Sequence, residues 1–290
     1  MTLPFAASAI TSSQKPLAVA ARPFIKWAGG KSRLIEQYQP FLPTDFQRYY
    51  EPFLGGGALF FHLAPELRAK GKRAYLSDLN PELVNVYQCV RNQVTELIHL
   101  LAIHQQQHSE AYYYRVRAAI ETEAIARAAR FIYLNKTCYN GLYRENSKGQ
   151  FNVPVGRYKN PKICVPDLLK ATSAALQIAD ISERSFTHIA KQTLDSQDFV
   201  YFDPPYHPLS ETSKFTAYSR DRFTTEQQTA LRNTIRQLAT RGVQVLASNS
   251  DCPFIRELYA GFKVQTITAA RSINSKASKR GKITEVLIIV

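Results

Sequence analysis

Short apolar runs that stop abruptly at a polar, Gly or Pro residue recur along the chain, with helical stretches between them. This alternation predicts strands joined by crossover helices, hence an α/β fold on a parallel sheet. Four runs carry the argument. Arg48 to Phe53 leads into Leu54-Gly55-Gly56-Gly57 and then an apolar helix start, Ala58-Leu59-Phe60-Phe61. Ala74 to Ser77 stops at Asp78, Phe199 to Phe202 at Asp203, and Val243 to Ala247 at Ser248-Asn249. Ligands of open α/β sheets bind beyond the carboxyl ends of the strands, so these four polar tips are expected to share one crevice. Two further runs, Phe262 to Ile267 and Thr284 to Val290, suit a closing antiparallel hairpin.

Residues 82–135 break this rhythm with a largely helical pattern rich in Gln, Ala, Glu and Leu. Residues 136–165 read as loop and hairpin, punctuated by Asn140-Gly141, Ser147-Lys148-Gly149 and Pro154. An inserted subdomain and a decorated loop of the main domain both fit. The organisation adopted is a loose tail over 1–22, a main domain over 23–81 and 166–290, and an inserted subdomain over 82–165.

Charge changes the picture more than composition does. With 37 Lys+Arg against 23 Asp+Glu the formal net charge is +14, which favours a polyanionic partner, nucleic acid first. The excess is concentrated. Lys136, Arg144, Lys148, Arg157, Lys159 and Lys162 stand against the single acid Glu145, interleaved with Tyr139, Tyr143, Phe151 and Tyr158. Arg271 to Lys282 adds five bases and no acid. Cys89, Cys138, Cys164 and Cys252 form no C-x-x-C pair and no His cluster has metal spacing, so no metal site is expected and free thiols in a reducing cytoplasm are. No run is long enough to span a bilayer.

Glu51-Pro52-Phe53-Leu54-Gly55-Gly56-Gly57 places glycines at a strand-to-helix turn, where a ligand can approach the backbone. Asp78, 21 residues past Gly57, ends the next strand, where a carboxylate can accept both hydroxyls of a ribose. A tight turn followed by a helix-capping Asp is the structural alternative. Gly29-Gly30-Lys31-Ser32 suggests a phosphate loop, but position 25 is Ile where that loop needs glycine. Lys31 still suits a ligand carboxylate, and Trp27 either packs on a ligand or sits in the core.

The most telling segment is Asp198-Phe199-Val200-Tyr201-Phe202-Asp203-Pro204-Pro205-Tyr206. Two prolines remove two N–H donors directly after a strand, which ends the sheet and stiffens the wall of a pocket. Asp203 and the Pro204 carbonyl are paired acceptors for the two hydrogens of an exocyclic amine, and Tyr206 can stack on the base that bears it. Holding those hydrogens frees the nitrogen lone pair from the ring and aims it at an electrophile. A rigid turn of purely structural use is the other reading.

These residues resemble the Dam-type (D12 class, alpha group) adenine-N6 DNA methyltransferases, including GATC-specific members. The likeness runs from about Pro23 to Val290. Its blocks are Phe24 to Lys31, Glu51 to Gly57, Ser77 to Asn80, Tyr139 to Arg144, Phe151 to Pro154 with Gly156 to Lys159, and Asp203 to Tyr206 with Pro208 to Ser210. The resemblance implies a Rossmann-like S-adenosylmethionine-dependent methyltransferase sheet with a C-terminal antiparallel hairpin and an inserted, mainly helical DNA-recognition subdomain. It implies that Trp27, Lys31, Phe53, Gly55, Asp78 and Asp203 bind S-adenosylmethionine. Asp203, Pro204 and Tyr206 would act on a flipped adenine in duplex GATC. Tyr139, Asn140 and Arg144 would read the site, with Lys148 and Arg157 among the basic residues on the phosphates.

One position departs from the family. Many relatives carry an acid for the cofactor's adenine near the tip of a strand around Glu183 to Ile189, where His188 stands here, so that contact falls to His188 or to a neighbour such as Asp180. Cytosine-N4, RNA or protein-amide methylation, and a catalytically silent DNA-binding protein, are the alternatives. Asp203 and the recognition block weigh against the former. A monomer or weak dimer in the cytoplasm, alone or beside a separately acting restriction endonuclease, completes the expectation.

Overall fold

The computed structural model describes residues 19–209, 223–270 and 282–290. Most of the expected tail, Ser210 and all of the Arg271 to Lys282 stretch except Lys282 lie outside the described residues.

Seven strands form one sheet in the order β3-β2-β1-β4-β5-β7-β6. They are β1 (Arg48–Glu51), β2 (Arg73–Asp78), β3 (Ala179–Glu183), β4 (Asp198–Phe202), β5 (Gln244–Ser250), β6 (Lys263–Ala270) and β7 (Lys282–Ile289). The first five are parallel, and β7 runs antiparallel to both neighbours. The order reverses between β1 and β4, so the crevice of a doubly wound sheet opens at the carboxyl ends of β1, β2 and β4.

Both faces are covered, which is why the strands are apolar almost throughout. Alternation is strict. Tyr49, Phe199, Tyr201, Leu246 and Leu287 point into one core, while Tyr50, Val200, Phe202, Val245, Ala247, Val286 and Ile288 point into the other. The first core is closed by α1 (Ile35–Tyr38), α2 (Ala58–Ala69), α3 (Pro81–Asn92), α4 (Val94–Gln107), α5 (Glu110–Ala118), α6 (Ala124–Thr137) and α7 (Pro166–Leu176). The second is closed by a 3-10 turn, Phe186–Lys191, with α8 (Thr225–Ala239) and α9 (Pro253–Leu258). Residues 82–135 are the helical region, and Leu97, Leu101, Tyr113 and Tyr133 share one cluster with Leu76 and Ile181 of the sheet.

Three details depart from the sequence pattern. The closing strands do pair, but β7 inserts between β5 and β6, so the C-terminus completes the sheet's interior. Ser248 and Asn249 do not terminate β5. They pair with Leu287 and Val286, because the antiparallel β7 carries the ladder beyond the end of β4. The strand expected around Glu183 to Ile189 instead ends at Glu183, and Ser185, whose Oγ accepts the Thr187 N–H, starts a 3-10 turn. No described helix is long and apolar enough to cross a membrane.

Candidate active site

The turn after β1 is shaped by glycine. Gly55 has φ +46°, and a Cβ there would stand 2.8 Å from Cδ1 of Trp27, so a side chain would be both strained and obstructed. Its N–H donates to Asp78 Oδ2 at 3.1 Å, while Oδ1 of the same carboxylate accepts the Asn80 N–H at 3.0 Å. Asp78 is thus oriented by backbone donors, and its pKa is raised because burial outweighs them. Glu51, 2% exposed, lies beneath the turn and accepts from Tyr49 Oη and Phe60 N. Burial pushes its carboxyl up to about 8.

At the tip of β4, Lys31 Nζ meets Asp203 Oδ1 at 2.8 Å, and Lys31 is 5% exposed. The ammonium also donates to the Gly29 carbonyl at 2.5 Å and lies 4.6 Å from the Tyr206 ring centroid. Ser248 Oγ donates to the same Asp203 Oδ1 at 2.7 Å. Both partners therefore fall on one carboxylate oxygen. Among the described residues none donates to Oδ2 or to the Pro204 carbonyl. Tyr206 Oη donates to Glu285 Oε2 on β7 at 2.8 Å. Burial raises the Glu285 carboxyl, opposed by the Lys31 charge.

The family model for the D12 class N6 adenine-specific DNA methyltransferases matches residues 27–273. The chain belongs to this family. The type II methyltransferase M1.LlaDCHI of Lactococcus lactis subsp. cremoris is 44% identical over 275 residues, spanning 92% of this chain and 94% of that one. M.MjaIII of Methanocaldococcus jannaschii is 41% identical over 278 residues, spanning 89% and 95%. The DNA adenine methylase of Escherichia coli K12 is 36% identical over 272 residues, spanning 92% and 95%.

An N6 adenine-specific DNA methyltransferase draws its methyl group from S-adenosylmethionine. The residues present fit that cofactor. A glycine turn without side chains, a backbone-oriented carboxylate and a buried ammonium at adjacent strand tips match a nucleoside with a zwitterionic amino-acid arm. Trp27 is half-buried between turn and helices, with Phe131 6.3 Å away and Tyr143 5.8 Å away. Phe53 stacks on Phe186 at 5.4 Å on the other face of the sheet. A depression there is lined by Pro52, Ser77, Asp180, Ser182 and His188, and Arg184 holds His188 Nε2 at 2.9 Å.

The basic aromatic segment of this methyltransferase divides sharply. Tyr139 is 49% exposed and Asn140, at φ 55°, is exposed beside it. Tyr143 instead packs half-buried against Trp27 and Phe131 and bonds Glu145, so of the two tyrosines Tyr139 presents the more exposed ring. Arg144 Nε donates to Asn152 Oδ1 at 2.6 Å, and Nη2 to the Asn152 carbonyl at 3.2 Å. Lys148, at the hairpin tip, and Arg157 are exposed. The segment is tied to the Phe24 to Lys31 stretch by Asn135, whose amide accepts from Lys26 N at 2.8 Å and donates to the Lys26 and Gly141 carbonyls.

Sequence reasoning missed Asn135, Glu285 and Gln228. Gln228 and Asn135 were detectable as polar residues on the apolar stripe of a helix; Glu285 was detectable as an acid within a strand of apolar residues. Ser248 and Asn249 were seen as polar but not as partners of the β4 tip. Among the described residues no group of three or more His, Cys, Asp or Glu could hold a metal ion.

Proposed function

We propose that this enzyme methylates N6 of an adenine flipped out of duplex DNA, at 5'-GATC-3' sites. The observation that carries the reading is the pair of open acceptors at the β4 tip, Asp203 Oδ2 and the Pro204 carbonyl, beside the Tyr206 ring. Each takes one hydrogen of the amine, and the ring stacks on the base. The lone pair, no longer delocalised, then points at the reacting carbon. Bound S-adenosylmethionine supplies an electrophilic methyl group. Trp27, Lys31, Phe53, Gly55, Asp78 and Asp203 hold it, with Lys31 facing its carboxylate and Asp78 its ribose. His188 or Asp180 takes the adenine end.

Residues 82–165 act as the target-recognition unit. Tyr139 fills the gap left by the flipped base, Asn140 and Arg144 read base edges, and Lys148 and Arg157 hold phosphates. The GATC assignment rests on the Tyr139 to Arg144 block, which resembles GATC-specific members. The enzyme works as a monomer or weak dimer in the cytoplasm, with or without a cognate restriction endonuclease.

Labelled methyl transfer to duplexes carrying GATC, GTTC or no site, with nucleoside analysis of the product, tests this. N6-methyladenine from the GATC duplex alone is expected. Label in the other duplexes overturns the site, and label in another nucleoside overturns the pocket.

A further inference from the structure

Two buried amides beneath the Asp203–His207 strap take no part in the chemistry above. Gln228 on α8 is 0% exposed and Asn249 on β5 is 1% exposed. Gln228 Nε2 donates to the Pro205 carbonyl at 3.0 Å. Its Oε1 accepts from Asn249 Nδ2 at 2.9 Å. Asn249 Oδ1 in turn accepts the His207 N–H at 3.2 Å. One continuous relay therefore joins the carbonyl just before Tyr206 to the N–H just after it, fixing both peptide planes that flank the ring.

The relay answers a need created by the sequence. Pro204 and Pro205 have no N–H, so the strap cannot be held by strand pairing. A carbonyl at one end and an N–H at the other leave each amide a single orientation. Gln228 sits on the apolar stripe of α8 with Leu231 and Ile235, where an amide is tolerated only with both its ends satisfied. The relay spends no bond on the Pro204 carbonyl or on Asp203. It fixes the chain on their C-terminal side and adds no bond to either acceptor.

We infer that Gln228 and Asn249 form a positioning pair that holds Tyr206 and the Pro204 carbonyl in register for methyl transfer. The inference rests on the strap reading proposed above. Because neither amide touches a substrate, loosening the pair slows the transfer step and leaves substrate binding alone.

The test uses the full chain with Gln228→Leu. It compares the single-turnover rate on a GATC duplex, affinities for S-adenosylmethionine and DNA, and amide hydrogen exchange at Tyr206 and His207. A single-turnover rate about 10- to 100-fold slower is expected, with both affinities kept and faster exchange confined to the strap. A rate within about twofold of the parent overturns the inference, as does an equal loss in affinity with the rate kept. Should Gln228→Leu not fold, Asn249→Asp serves. It keeps the acceptor for His207 and removes the donor to Gln228, and an unchanged rate there is equally fatal. Asp203→Asn runs alongside. If it transfers methyl normally the strap reading itself has failed; if it is silent while Gln228→Leu is normal, only the positioning role has.

Discussion

The strap from Asp203 to His207 and the segment from Tyr139 to Tyr158 are both irregular chain, yet they are held in opposite ways. The strap is anchored at Asp203 by Lys31 and Ser248, at Pro205 and His207 by buried amides, and at Tyr206 by Glu285. The other segment is anchored at its base, through Asn135 and the Tyr143 ring, while Tyr139, Asn140, Lys148 and Arg157 stand in solvent. A group that must orient one lone pair needs preorganisation before substrate arrives. A group that must follow a polyanion needs reach and charge, and buried bonds would remove both. Changes in the first region should therefore alter rate, and changes in the second should alter site choice and salt dependence.

The largest effect is expected from Asp203→Asn. The carboxylate would become an amide beside a buried ammonium, and at least one acceptor for the amine would be lost or misdirected. Single-turnover transfer should fall by about a thousandfold or more, with DNA binding kept. An appreciable residual rate would remove Asp203 from the chemistry. Next in size is Gly55→Ala. At φ +46°, with Trp27 Cδ1 2.8 Å from the new Cβ, the turn must shift. Affinity for S-adenosylmethionine, measured calorimetrically, should weaken by about tenfold or more. Unchanged affinity would show that the cofactor does not depend on this turn.

What the sequence could show follows from which interactions are local. The tips of β1, β2 and β4 were legible because each ends in a chemically distinctive residue, and Asp78 and Asp203 lie where the pattern put them. β3 was obscured because Asp180 and Ser182 alternate with Ala179 and Ile181, which reads as a polar stretch until the burial of one face is known. The placement of β7 between β5 and β6 depends on ladder bonds that no local pattern encodes. Tyr206 and Glu285 are 79 positions apart, and Lys26 and Asn135 are 109 apart. Such pairs are made by the fold, so Glu285 and Asn135 showed in the sequence only as polar groups in apolar surroundings.

In the Tyr139 to Tyr158 segment the sharper test is Arg144→Ala. Asn152 holds the guanidinium through Nε and Nη2, which sets its direction as a base reader requires. Preference for GATC over a site altered at one guanine should fall by about 10- to 100-fold, the worth of roughly 1–3 kcal/mol for one base contact. Single-turnover rate on GATC at saturating DNA should change little. A rate loss without a loss of preference would move Arg144 to the catalytic side of the comparison.

The smallest effect belongs to Lys148→Ala. The turn around it is built from its backbone, since Asn146 Oδ1 accepts the Lys148 N–H at 2.9 Å and the Gln150 N–H at 3.0 Å, and Gly149 takes φ +74°. Alanine preserves all of that, so folding should be unaffected and only an exposed charge is lost. A phosphate contact predicts that the slope of log affinity against log salt falls by about 1, with the weakening equal for GATC and unrelated duplexes. A loss confined to GATC would make Lys148 a base reader. An unchanged slope would take the hairpin tip off the DNA and leave the charge of this region to Arg157 and its neighbours.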